Sequence, residues 1–394
     1  MRAAPNARQR FAILWALVPL AILALLIWGF LATDPLAPLG VSAPPIEELT
    51  VERTVLDEGG ISLRVRADGS EPVQIAQVLV DGAYWSYTQE PAGELARLQS
   101  AWVHVPYPWV QDEAHTVTFL TDTGVTFEHE IEVAVPTPQA SLGRILAYAL
   151  LGIYVGVVPV GLGLLFFPYL RTLGRRGLQF LLALTVGLLA FLLVDTLEEG
   201  FELSAGAAGA FQGTALVSLA AVTAFLVLLA LGRRRGRAPE GVALAGYLAL
   251  GIGLHNLGEG LAIGAAFATG AAALGSFLVV GFTLHNITEG IALASPLVKR
   301  RPPLLTFVGL AALAGLPAVV GTWTGAFAYA PHWAALFLAV GAGAILQVIV
   351  EVGTYLARTA REHGGEGAWL STTSLAGFAT GLVVMYATAL LVNV

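Results

Sequence analysis

The sequence predicts a mainly α-helical membrane protein. One N-terminal spanning helix is followed by a small extracytoplasmic β-sandwich, immunoglobulin-like in type, and then by a bundle of eight further spanning helices. Three observations predict this. Apolar residues make up 56% of the 394 residues and charged residues only 12%, about half the share of a soluble chain. Repeated segments reach the roughly 20 apolar residues that cross a bilayer. Between the first of these and the rest, the pattern changes to strand alternation, in "ISLRVRA" (61–67) and "VTFEHEIEVAV" (125–135).

Taken in order, residues 1–32 read as an uncleaved transmembrane anchor, with a signal peptide as the alternative. The apolar run from Phe11 to Leu31 follows Arg2, Arg8 and Arg10. It exceeds the usual h-region of about 7–15 residues, and "GFLATDPLA" is a poor cleavage site. Residues 33–49 are Pro-rich and read as a linker. Residues 50–136 form the β-domain, with six or seven short strands. Asp81-Gly82 and "TDTG" (121–124) supply its turns, and "HTVTFLTDTGVTFEHEIEVAV" reads as a hairpin. Residues 140–394 carry the eight remaining spans, placed near 142–169, 178–200, 210–232, 241–268, 271–298, 304–329, 333–358 and 370–393.

Basic residues orient these spans, because cytoplasmic loops are enriched in Arg and Lys. With the N-terminus in the cytoplasm, the cytoplasmic loops hold Arg171, Arg175 and Arg176, then Arg233–Arg235 and Arg237, then Lys299–Arg301, then Arg358 and Arg361. The intervening loops near 201–209, 269–271 and 330–332 hold no Arg or Lys. The β-domain and the C-terminus then lie outside the cytoplasm. The expected location is the inner (cell) membrane, multi-pass.

Two apolar spans carry the same polar pattern, "LHNLGEGLA" (254–262) and "LHNITEGIA" (284–292). A glutamate at mid-bilayer costs about 2.5–3.5 kcal/mol on insertion scales, so it needs a compensating reason. Residues four apart share a helix face. His255 and Glu259 therefore point together, with Asn256 rotated to the side, and His285, Asn286 and Glu289 repeat this on the next helix. Gly270 is equidistant in sequence from the two histidines. A turn there places both imidazoles at one depth, about 22 Å from the turn at 1.5 Å per residue. Two imidazoles, two carboxylates and two amides are expected to converge on one point. Imidazole nitrogen with carboxylate and amide oxygen is a ligand set for divalent Zn, Fe, Mn or Co. The competing account is polar adhesion between helices.

These motifs resemble the HNxPEG signatures of the Zrt/Irt-like (ZIP) metal transporter family, bacterial branch, with "LHNITEGIALASPL" the closest stretch. The resemblance covers the eight-helix part and neither the first helix nor the β-domain. It implies a ZIP-like bundle that moves divalent metal, zinc first and iron, manganese or cobalt besides, into the cytoplasm. By motif position it implies His255, Glu259, His285 and Glu289 as main ligands, with Asn256 and Asn286 serving an adjacent position. Two departures stand out. The family's proline is Gly258 in one motif and Thr288 in the other, which leaves a bend possible at Gly258 and a straight helix at Thr288. Leu316 precedes Pro317 where relatives often have glutamate, so one metal site is expected and not a tight binuclear one.

Further polar residues mark a transport pathway: Asp195 and Glu199 toward the outer end of one span, Gln347 and Glu351 toward the inner end of another. His104, His115 and His129 in the β-domain read as structural, and His332 as a loop residue. The chain has no cysteine, which excludes disulfides and thiolate ligands. It has no phosphate loop, HExxH or catalytic Ser/His pair and is not read as an enzyme. The "RRRGR" run (233–237) reads as a topology anchor and not a nucleic-acid contact. The expected partners are the metal substrate, the lipid bilayer and a second copy in a possible homodimer. No cofactor is expected beyond the metal itself. The alternative function is a membrane metal sensor or receptor that binds at the same site without rapid transport.

Overall fold

The computed structural model describes residues 15, 18–29, 46–233, 239–364 and 370–392. An N-terminal helix α1 (Val18–Gly29) stands as a unit of its own. The outer ends of the expected first span, nearly all of the expected linker and residues 234–237 of the basic run lie outside the described residues.

The second unit opens with eight strands, one or two more than the alternation suggests: β1 (Leu49–Asp57), β2 (Gly60–Ala67), β3 (Ile75–Val80), β4 (Ala83–Trp85), β5 (Thr88–Glu90), β6 (Ser100–Val105), β7 (His115–Thr121) and β8 (Thr126–Ile131). The added strands, β4 and β5, are three residues long, too short for a period of two to register. The strands form two four-stranded antiparallel sheets, ordered β1-β2-β6-β5 and β4-β3-β7-β8. Their inner faces share one core, which includes Ile61, Leu63, Val65 and Val103 from one sheet and Val78, Val80, Val117 and Phe119 from the other. The β3–β4 turn uses Asp81 and Gly82, both at positive φ (53° and 79°), as a two-residue hairpin requires. The "HTVTF…" hairpin forms as β7 and β8.

Eight long helices follow: α2 (Leu142–Leu170), α3 (Arg175–Ala205), α4 (Gly213–Gly232), α5 (Val242–Ala268), α6 (Ala272–Ala294), α7 (Leu304–Ala328), α8 (Pro331–Gly364) and α9 (Thr372–Val392). Their bounds lie within a few residues of those read from the sequence. Among the described residues, seven helices are long and apolar enough to cross a membrane, the mark of a multi-pass membrane protein. The eighth, α5, is as long, but its His, Asn, Glu and glycines dilute its apolar character. It is also the most enclosed: both halves of α7, α8 and α6 all pack on it, and residues on every face are buried. That enclosure shields its polar groups from lipid.

The helices pack in two groups. α3 packs on α8 and α9, and α4 packs on α8; α5 packs on α7, and α6 on α2. Close crossings lack room for side chains. A Cβ on Gly260 would sit 2.2 Å from the Ala318 carbonyl oxygen, and one on Gly290 2.2 Å from that of Val160. Such small-residue contacts let membrane helices approach backbone to backbone. α7 is broken after Gly315 and resumes at Pro317, because proline lacks the N–H that would continue the ladder.

The β-domain seats on one end of the bundle, against three interhelical turns. The Gly209 amide donates to Asp68 Oδ2 at 2.6 Å, Arg53 donates to the Phe327 carbonyl at 2.7 Å, and Val135 packs on Gly270. These are the turns expected to lack Arg and Lys, so the β-domain and the basic loops occupy opposite ends.

Candidate metal centre

The α5–α6 hairpin turns at Gly270, whose φ of +84° favours glycine. It brings the two polar patterns together deep in the bundle. All six residues are buried, and Asn256 and Asn286 have no exposure at all. The His255 and His285 rings lie 6.2 Å apart between centroids. His255 Nε2 bonds Glu259 Oε1 at 2.9 Å, and His285 Nε2 bonds the same oxygen. Asn286 Nδ2 donates to Glu259 Oε2 at 3.1 Å and to the Val155 carbonyl, also at 3.1 Å. Ligand atoms of His255, Glu259 and His285 all lie within 4.8 Å of one another. Both imidazoles present Nε2, and the carboxylate lies between them.

Glu289 is not one of these three, although it interacts electrostatically with Glu259, His255 and His285. The reason is direction. The helices are antiparallel, so the i+4 residue lies on the β-domain side of His255 in α5 and on the opposite side of His285 in α6. Glu259 is 11 residues before Gly270 and Glu289 is 19 after it; the difference of eight residues separates them in depth by about 12 Å. Asn256 also turns aside, donating through Nδ2 to the Ala314 carbonyl at 3.1 Å.

No family model matches the chain, and no curated protein matches it.

The acceptors left over around the trio are telling. His255 Nδ1, the Oδ1 atoms of Asn256 and Asn286 and both carboxylate oxygens of Glu289 are buried without a hydrogen-bond partner. Buried polar atoms normally find partners, and each exception calls for an explanation. A lining of nitrogen and oxygen lone pairs with few opposing donors suits a divalent cation of the Zn, Fe, Mn or Co type.

The departures from proline leave both helices unbroken: α5 and α6 run through Gly258 and Thr288. Thr288 Oγ1 donates to the His285 carbonyl at 2.6 Å. α5 stays helical at Gly258, where a Cβ would meet Leu338 Cδ2 at 2.9 Å, so this glycine serves a close approach of α8. Leu316 is 48% exposed and faces away from the centre. The widened part of α2, a π-helical stretch at Ile153–Val157, supplies the Val155 carbonyl that holds Asn286. Such turns often lie at functional sites. Sequence reasoning missed this stretch, which carries no polar signal. It also missed the glycines of the two "EG" pairs, Gly260 and Gly290, although their repetition was visible.

Asp195 and Glu199 line a cavity of about 410 Å³ together with Glu198, Glu202, Phe282 and His285. The acidic face of α3 thus opens onto the trio's His285. Gln347 and Glu351 lie on α8, each 1% exposed. Neither side-chain polar atom of Gln347 has a partner, while Glu351 Oε1 stands 3.7 Å from Arg233 Nε. The β-domain histidines are engaged separately from one another: His104 with Ser62 (2.9 Å), His115 with Asp81 (2.8 Å) and the Val110 amide (3.4 Å), and His129 with Thr54 (2.9 Å). His332 lies in the first turn of α8 and not in a loop, stacked on Phe211 at 4.7 Å.

Proposed function

We propose that this chain is a divalent metal transporter of the ZIP type, moving zinc, or else iron, manganese or cobalt, into the cytoplasm through the α5–α6 centre. The single observation that carries the reading is the buried His255–Glu259–His285 trio with orphaned acceptors around it. Core residues held only for helix adhesion would pair their lone pairs; these do not. A path is supported on both sides of the trio. The acidic cavity of Asp195, Glu198, Glu199 and Glu202 gathers cations toward His285. Beyond the trio, Glu289, Gln347 and Glu351 continue a buried polar line toward the basic end.

The remaining features of the reading follow. The eight long helices form a ZIP-like bundle in the inner membrane. The β-domain and C-terminus face outward, and the N-terminus faces the cytoplasm. Strand orders β1-β2-β6-β5 and β4-β3-β7-β8 correspond to the A-B-E-D and C′-C-F-G sheets of immunoglobulin-like domains, which supports that assignment. A homodimer is compatible with this arrangement.

Metal flux into proteoliposomes tests the function. Wild type should carry zinc, iron(II) or manganese, and the Glu259→Ala, Glu289→Ala double variant should carry none while still inserting. A second reading, a membrane metal sensor, has its own support in the β-domain, whose contacts tie turns of both helix groups together. It predicts metal bound at the trio with no flux.

A further inference from the structure

Away from the metal centre, the junction of β-domain and bundle gathers an unusual excess of positive charge. Arg53 on β1 and Arg64 on β2 are directly opposed cross-strand partners. Like charges so placed are destabilising by themselves. Arg66, two residues along β2, shares their face. Glu52 is the one carboxylate lining the same cavity, and it reaches this face because the ladder shifts register between Val51 and Arg53, a bulge that re-aims a side chain. Glu52 is fully committed: it takes Arg66 Nε at 2.6 Å and Nη2 at 3.2 Å, with Arg64 Nε at 3.4 Å and His332 Nδ1 at 3.8 Å. Three guanidiniums against one carboxylate leave a surplus of two positive charges.

Arg53 gives one nitrogen to the Phe327 carbonyl. Arg64 makes only long contacts, 3.4 Å to Ser100 Oγ and 3.4 Å to Glu52, and its side chain is 45% exposed. These two face a cavity of about 570 Å³ whose other wall is apolar: Phe211, Leu216, Trp333 and Leu336. Leu216 and Trp333 lie in the first turns of α4 and α8, where those apolar helices begin. The cavity is thus cationic toward the β-domain and greasy toward the helices.

We propose that this cavity binds the phosphate of an anionic phospholipid. Arg64 and Arg53 hold the headgroup, and the acyl chains run down the exposed side of α4. Guanidinium is suited to phosphate because its planar fork donates two hydrogen bonds at once. The apolar wall selects a lipid over free phosphate.

The test uses the full chain in nanodiscs of phosphatidylcholine alone, or of phosphatidylcholine mixed with phosphatidylglycerol. Retained lipid is read by native mass spectrometry and stability by thermal unfolding. Wild type should retain phosphatidylglycerol roughly tenfold over phosphatidylcholine, because both offer the same phosphate but the choline cation is repelled by the surplus arginine charge, and its Tm should rise with it. Arg64→Gln should lose both effects, and Arg53→Gln should weaken them. Equal retention of the two lipids, or a preference unchanged in both variants, overturns the proposal. Inorganic phosphate added to phosphatidylcholine discs should leave the Tm where it was; a rise matching that with phosphatidylglycerol would overturn the lipid as the occupant.

Discussion

Glu259 takes hydrogen bonds from His255, His285 and Asn286, whereas Glu289 has neither oxygen paired. Their variants should therefore separate. Glu259→Ala should abolish zinc binding measured by isothermal titration. Glu289→Ala should weaken it by about tenfold, the scale for groups beyond the direct ligands; equal losses would contradict the division. In the β-domain, burial lowers the His129 imidazole below its ordinary value. The folded state then binds fewer protons than the unfolded one below about pH 6.5. Stability is complete above that pH and falls as pH drops toward the folded value. The Tm of the full chain should decline on mild acidification, and the decline should shrink in His129→Gln. Nearby, burial and the Asp81 carboxylate, 2.8 Å from its hydroxyl, push the Tyr107 phenol up to about 12, so Tyr107 adds nothing to that profile. At this scale the sequence was informative about residue types and less so about pairing. Spacing four apart identifies His255 with Glu259, while the different setting of Glu289 follows from the reversed direction of the motif on the antiparallel partner and is not visible in the spacing. His332 was passed over because nothing local to it signals the arginines that fold brings from β1 and β2.

Helices were legible as elements because each long apolar run is bounded by arginines, glycines or prolines, and a span needs a minimum length. The short strands β4 and β5 were not, since three residues show no period. Helix crossings were only partly legible: the glycines are in plain view, but which helix each one meets depends on tertiary packing. Gly260 and Gly309 make the contrast testable. A Cβ on Gly260 collides with the Ala318 backbone, while one on Gly309 meets nothing within 4 Å. Gly260→Ala should destabilise the protein by about 1–3 kcal/mol, as overpacking does. Gly309→Ala should be neutral or stabilising, since alanine is the better helix former by about 1 kcal/mol. Thermal unfolding in detergent measures both.

For the whole molecule, the orientation is open to direct measurement because the native chain offers no thiol. Single cysteines at exposed Thr172 and Gln212 lie in turns at opposite ends of α3. An impermeant thiol reagent applied to intact cells should label Gln212→Cys at once and Thr172→Cys only after permeabilisation; the reverse would invert the proposed topology. The seating of the β-domain on the Arg-free turns was foreshadowed by charge placement, but its individual contacts, such as Asp68 with Gly209, join residues 141 positions apart and leave no local trace. The antiparallel repeat at the centre has a further consequence. Exchanging α5 and α6 exchanges Glu259 for Glu289 and leaves His255 level with His285, so the order of residue types has an approximate two-fold axis across the hairpin, which the contacts break because both imidazoles bond Glu259. The residue types alone therefore prefer no direction of passage. On the transport reading, polarity comes from what flanks the centre: free carboxylates of α3 on one side, and on the other a Glu351 already held by Arg233, so that one approach is attractive and the opposite one is partly neutralised.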